Sequence, residues 1–209
     1  MLLLLYQEAS EIWGQVLGKE HPSYAQSLNN LAALYRAQGQ YEEALPLYQE
    51  ASEIWGQVLG KQHPSSYASS LNNLAELYES QGQYEEALPL YQEALKIREQ
   101  ILLGKQHPDY ARSLNNLAGL YSSQGQYEEA LPLYQEALKI VEQVLGKQHP
   151  LYATSLNNLA KLYDSQGQYE QALPLFQEAL RIFTHALGEQ HPHTKIAKGN
   201  YERCLNRDS

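Results

Sequence analysis

The dipeptide His-Pro recurs at residues 21, 63, 107, 149 and 191, at intervals of 42, 44, 42 and 42 residues. So regular a chain does not fold as one irregular globule. Each period is a supersecondary unit too small to bury its own apolar face, and stacking on neighbouring units completes the core. The long interval holds two one-residue insertions, a serine at Ser65 or Ser66 and a leucine at Leu102 or Leu103. This period divides the chain into a partial repeat at 1–20, repeats at 21–62, 63–106, 107–148 and 149–190, and a capping helix at 191–209. Together they are expected to form one continuous domain.

Each unit contains two stretches with helical periodicity. Helix A runs from just after His-Pro to "QG", as in Ser23–Gln38, where Gly39 ends it in a left-handed conformation. Helix B runs from Tyr41 to about Leu59 and ends at Gly60. With the partial units at either end, about ten helices result, so the fold class is all-α. In helix A, Leu28, Leu31, Ala32 and Tyr35 share one side; in helix B, Tyr41, Ala44, Leu45, Tyr48 and Ala51 do the same. The alanines allow close approach and the tyrosines fill the space between pairs. Pro46, Pro89, Pro132 and Pro174 fall inside helix B, where each either bends the helix or is tolerated near its start.

The spacing Leu28-x2-Leu31-Ala32-x2-Tyr35, then Ala44-x3-Tyr48, resembles the tetratricopeptide signature. The longer period, with "LNNLA", "QGxYEEA" and "LGKxHP", is similar to the repeats of kinesin light chains and their bacterial relatives. The resemblance covers nearly the whole chain. It implies a right-handed superhelical solenoid of antiparallel helix pairs, with helix A lining the concave surface. It also implies a scaffold that binds a protein or peptide partner.

Composition narrows the partners. The net charge of -9 and the pI near 5.2 argue against nucleic acid or an anionic membrane. The mean hydropathy of -0.54 is that of a water-soluble chain, and the single Cys204 fits a reducing, cytoplasmic setting. "MLLLL" lacks a basic leader region and is too short to span a bilayer. The segment after it, "YQEASEIWGQVLG", matches Tyr48–Gly60 residue for residue, so it reads as the end of a repeat.

The repeats also serve as their own comparison. Their A helices differ chiefly at four positions: Gln26, Ala33, Arg36 and Ala37; Ser69, Glu76, Glu79 and Ser80; Arg112, Gly119, Ser122 and Ser123; Thr154, Lys161, Asp164 and Ser165. These fall in an arc of roughly 100° opposite the packing stripe; with helix A lining the concave surface, as the resemblance implies, the arc is expected to be the groove. "SLNNLA" occurs four times. Its first asparagine (Asn29, Asn72, Asn115, Asn157) lies in the arc and its second (Asn30, Asn73, Asn116, Asn158) at the edge. A primary amide both donates and accepts, so such a row can pair with the backbone of an extended peptide. For the second asparagine, a bond to the adjoining helix competes with that role. Gly119, Ser122 and Ser123 leave a recess, with Glu76 and Glu79 expected on one flank and Arg112 and Lys161 on the other. That pattern favours a ligand with a bulky centre, basic toward repeat 2 and acidic toward repeat 4. The mixed charge departs from a strongly basic groove.

No catalytic chemistry is expected. The His-Pro histidines lie on successive repeats about 10 Å or more apart, too far to share one metal ion. They are expected to cap or pack the turn between repeats. Glu42–Glu43, Glu85–Glu86 and Glu128–Glu129 suit the first turn of helix B and do not face one another. No phosphate loop, nucleophile elbow or Cys/His dyad is present, and no cofactor or metal is implied. Leu2, Leu3, Leu4 and Leu5 form a sticky patch. They raise two alternatives to peptide binding: self-assembly through that helix, or the sensor portion of a larger signalling protein. At the other end, Lys198, Glu202 and Arg203 replace apolar or small residues, as a solvating cap requires.

Overall fold

Each A helix begins the same way. In the computed structural model, which describes residues 2–59, 63–101 and 105–207, histidine is the N-cap and proline the first helical residue. Proline there costs no hydrogen bond and presets the helical φ. The Nδ1 atoms of His21, His107 and His149 accept from the backbone N–H two residues on at 3.1 Å, and His191 does so at 3.2 Å. The expectation that these histidines cap a turn is met, with an imidazole nitrogen in place of the usual serine or aspartate oxygen. At the far end, Gly39, Gly82, Gly125 and Gly167 adopt φ of 73–75°. Gly39 N–H bonds Arg36 O and Gln40 N–H bonds Tyr35 O, both at 2.9 Å, which closes a Schellman motif.

Ten α-helices and one π-helical segment result among the described residues: α1 (Leu2–Val16), α2 (Pro22–Ala37), α3 (Tyr41–Glu53), the π segment (Ile54–Leu59), α4 (Pro64–Ser80), α5 (Tyr84–Ile101), α6 (Pro108–Ser123), α7 (Tyr127–Leu145), α8 (Pro150–Ser165), α9 (Tyr169–Leu187) and α10 (Pro192–Leu205). Even-numbered helices are of A type and odd-numbered ones of B type. Helices α3, α5, α7 and α9 continue through their internal prolines, all of which face solvent.

The chain divides into two compact units, within residues 1–103 and 104–209. In the first, consecutive helices α1 to α5 pack on one another, and α2 also touches α4. In the second, α6 to α10 do the same, with α8 touching both α6 and α10. Alanines mark the crossings: Ala25, Ala32, Ala44 and Ala51 in the first unit, and Ala153, Ala160, Ala172 and Ala179 in the second, are fully buried. With no side chain beyond Cβ, the helix axes can approach closely. Tyr48, Tyr91 and Phe176 fill the remaining space and are at most 1% exposed.

The repeat carrying the extra serine departs from this pattern. Helix α4 has 17 residues where the other complete A helices have 16. One added residue at a helix start turns the cap by about 100° relative to the packing stripe. His63 accordingly makes no cap bond and instead packs edge-on against Trp55 in the π segment, with ring centroids 5.8 Å apart. The extra leucine at 102 or 103 lies outside the described residues.

The caps make a direct test. His149→Ala is expected to lower stability by about 1 kcal/mol, the usual value of an N-cap bond. His149→Asp should restore it, because aspartate caps better and complements the helix dipole. Chemical denaturation followed by circular dichroism reads both, and an unchanged midpoint for the alanine variant would remove the capping role.

Candidate functional site

The first asparagine of each pair, expected in the groove, bonds within the helical packing instead. In the first unit, Asn29 and Asn72 are 5% and 4% exposed. Asn29 Nδ2 donates to Ala25 O at 3.3 Å and to Ser70 Oγ on α4 at 3.4 Å, and Asn72 Nδ2 donates to Ala68 O at 2.9 Å. In the second unit, Asn115 Nδ2 donates to Ala111 O and to Ser155 Oγ on α8, both at 3.1 Å. Asn157 Oδ1 accepts from Asn200 on α10 at 3.0 Å. Asn29, Asn115 and Asn157 therefore tie one A helix to the next, one of the two roles weighed for the second asparagine, while Asn72 bonds only its own helix. The physical reason is the width of the buried face. An A helix contacts its own B helix, the preceding B helix and adjacent A helices, so Ser27, Asn29 and Tyr24 are buried together with the leucines.

The second asparagine stays off the core. Asn30 is exposed and accepts from Gln26 Nε2 at 3.0 Å; Asn73, Asn116 and Asn158 are partly exposed. Gln26, Arg112 and Lys161 are exposed, and Ser69, Gly119, Ser122 and Thr154 partly so. In the second unit, a Cβ placed on Gly119 would come to 3.6 Å from the Tyr134 hydroxyl, an ordinary contact distance.

Most charges on this face are engaged within the chain. In the first unit, the Arg36 guanidinium bonds the Glu76 carboxylate, and the Tyr91 hydroxyl donates to Glu79 Oε2 at 2.9 Å. Burial, reinforced by Glu79 and Glu76, pushes the Tyr91 phenol far above its ordinary range. Tyr48, also pushed up by burial, has a hydroxyl with no hydrogen-bond partner among the described residues. In the second unit, Arg112 pairs with Asp109 at 3.2 Å. Asp164, only 6% exposed, accepts from Arg207 at 3.2 and 3.3 Å and lies 3.8 Å from Arg203. Asp164 thus fastens the end of α10 to α8. Of the expected groove charges, Lys161 alone stands in solvent without a partner among the described residues.

Sequence reasoning missed Arg98. It is 4% exposed, and its Nη2 donates to Ser69 Oγ at 3.1 Å. It occupies the register position held by Trp55, Val141 and Phe183. A cation among apolar counterparts was visible from the repeat alignment of helix B.

No group of three or more His, Cys, Asp or Glu side chains that could hold a metal occurs among the described residues. Nor is any described helix long and apolar enough to cross a membrane.

Comparison with known proteins agrees with this geometry. The tetratricopeptide repeat family model matches residues 5–57, 25–100, 66–143 and 109–185. A putative kinesin light chain from Podosopora anserina with nearly identical TPR-like repeats superposes with a TM-score of 0.71 at 30% identity, over 90% of this chain and 88% of that one. BtubC (BKLC) from P. vanneervenii superposes with a TM-score of 0.80 at 24% identity, over 99% of this chain and 82% of that one, a likeness of fold. A search of curated protein sequences finds no match. Proteins with this architecture are in general non-catalytic scaffolds for other proteins. The chain belongs to the tetratricopeptide repeat family, is of the kinesin light chain-like type, and is a protein–protein interaction scaffold.

Proposed function

We propose that the exposed face of the A helices holds an extended peptide segment of a partner protein. The observation carrying this reading is the division of labour within "SLNNLA". Asn29, Asn115 and Asn157 bond the next A helix, while Asn30, Asn73 and Asn158 lie exposed or partly exposed at the A-helix face. Within each unit, the amides on successive A helices suit the N–H and C=O groups of an extended backbone. Because Arg36, Glu76, Glu79, Arg112 and Asp164 already have partners, ligand choice rests more on shape than on charge. The recess at Gly119 and Ser122 takes a bulky side chain, and Lys161 beside it on α8 favours a neighbouring carboxylate. The reading requires no cofactor and no catalysis, and the buried thiol of Cys204 accords with a cytoplasmic setting.

Selection from a library of random linear peptides tests it. Selected peptides are expected to weaken about tenfold against Gly119→Trp and about fivefold against Asn158→Ala, the worth of one lost hydrogen bond. Asn115→Ala should instead lower the denaturation midpoint and leave affinity nearly unchanged. Peptides indifferent to both Gly119→Trp and Asn158→Ala would place recognition elsewhere.

A further inference from the structure

The repeat that carries the extra serine also holds a small polar cavity, of about 110 Å3, between α2 and α4. Its α2 wall is Gln26 and Asn29; its α4 wall is Ser65, Ser66, Ser69, Ser70 and Asn73. Each of these side chains is a hydroxyl or a primary amide, and none is ionised. The repeat alignment accounts for the space. Tyr67 of α4 matches Tyr152 of α8, so Ser66 stands where the second unit has Leu151, and Ser69 where it has Thr154. Both side chains are smaller than their counterparts, and the volume they give up is left as cavity.

Two of the lining residues are almost wholly removed from solvent: Asn29 is 5% exposed and Ser70 is 1%. They fit each other poorly. Asn29 Nδ2 lies 3.4 Å from Ser70 Oγ, and Asn29 Oδ1 accepts from the same hydroxyl at 3.5 Å, the far limit of a hydrogen bond. The matching pair in the second unit, Asn115 and Ser155, meets at 3.1 Å. Among the described residues, Asn29 Oδ1 has no other donor. A buried amide oxygen paired so weakly retains much of its desolvation cost, and it lines a cavity open to a better donor. Ser69 is already engaged, donating to Ser65 O at 2.9 Å and accepting from Arg98 at 3.1 Å. The Ser66 hydroxyl has no hydrogen-bond partner among the described residues.

We infer that this cavity receives a small hydroxyl side chain, serine or threonine, of the extended peptide. The inference rests on the peptide reading above, because the cavity belongs to the same A-helix face. Asn73 lines it, and Gln26 on the opposite wall donates to Asn30 at 3.0 Å, so it lies beside both amides assigned to the backbone in this unit. The entering hydroxyl donates to Asn29 Oδ1 and accepts from Ser66. Valine has the shape of threonine but neither function. An ionised aspartate lacks the proton that Asn29 Oδ1 requires, and long or aromatic side chains exceed the volume.

Peptides selected from the random library that weaken against Asn30→Ala run over the first unit, and these are scanned by substitution. One position is expected to require serine or threonine, with valine and aspartate each weakening binding about tenfold. Ser66→Leu, which copies Leu151 of α8, should erase that preference with the helical circular dichroism unchanged. Bound peptides with no such position, or a preference that survives Ser66→Leu, overturn the inference and leave the peptide reading standing. Aspartate binding more tightly than threonine also overturns it, because the occupant would then be an anion. If no selected peptide is sensitive to Asn30→Ala, the peptide reading fails in this unit and the inference fails with it.

Discussion

Phe176→Ala is expected to cost about 3–5 kcal/mol, the range for a large aromatic removed from a packed core. Phe176 is fully buried, and it clusters with Ala160 of α8, Ala172 of α9 and Cys204 of α10. The alanines cannot reach into the cavity, and Tyr163, Leu173, Leu175 and Tyr201, packed around it, would have to leave their own contacts to fill it. Because a repeat array is held by nearest-neighbour interfaces, the loss falls first on α10, which packs on α9 and α8. Its tie from Arg207 to Asp164 lies at the surface end and replaces little of the lost burial. Denaturation should therefore show α10 leaving before the rest. Cys204, inaccessible in the native chain, should react with a thiol reagent in the variant. A loss below about 1 kcal/mol with Cys204 still protected would show that the site repacks.

The second large effect is alkaline. Burial, with a hydrogen bond to Glu50, pushes the Tyr24 phenol up to about 12, and burial with Glu93 does the same for Tyr67. Tyr48, Tyr91 and Tyr152 are also raised, in each case mainly by burial. A phenol whose folded value exceeds the free value near 10 favours the fold while it is neutral. That stability is fully present below pH 10 and is lost as pH rises from 10 through about 12. Solvent screening at the hydroxyl end reduces the worth of each shift, to about 1 kcal/mol for each tyrosine. The helical signal is expected to collapse in that window. Tyr24→Phe with Tyr67→Phe should flatten the slope there while costing some stability at pH 7. If the double variant loses its helical signal over pH 10–12 with the same slope as the unaltered chain, the Tyr–Glu clips contribute little.

Much of this fold is legible in one dimension because the chain repeats itself. Helix boundaries followed from His-Pro at one end and Gln-Gly at the other, since capping and left-handed glycine are local chemistry. The alanine and tyrosine pattern marked the packing stripe for the same reason. The phase of the asparagines was harder to read. A helical wheel places Asn29 opposite Leu31, yet an A helix is enclosed on more than one side, and a wheel carries no record of how many neighbours share it. Asp164 looked like a groove acid until Arg207, 43 residues away, was brought onto it. Arg36 and Glu76 likewise looked available, and only their juxtaposition across two A helices shows them satisfied by each other.

The π segment carries a consequence for editing the gene. A π turn is an α-helix with one residue too many for its hydrogen-bonding frame. Removing one exposed residue there, such as Gln57, lets the helix close into the α frame and leaves the next helix in place. The same deletion in α7 or α9 would rotate every later residue by about 100° and carry the apolar stripe out of register. A single-residue deletion between residues 54 and 59, the π segment, is therefore expected to cost less than one elsewhere in a B helix. Natural length variation and deliberate single-residue deletions should be accepted there and rejected one repeat further on.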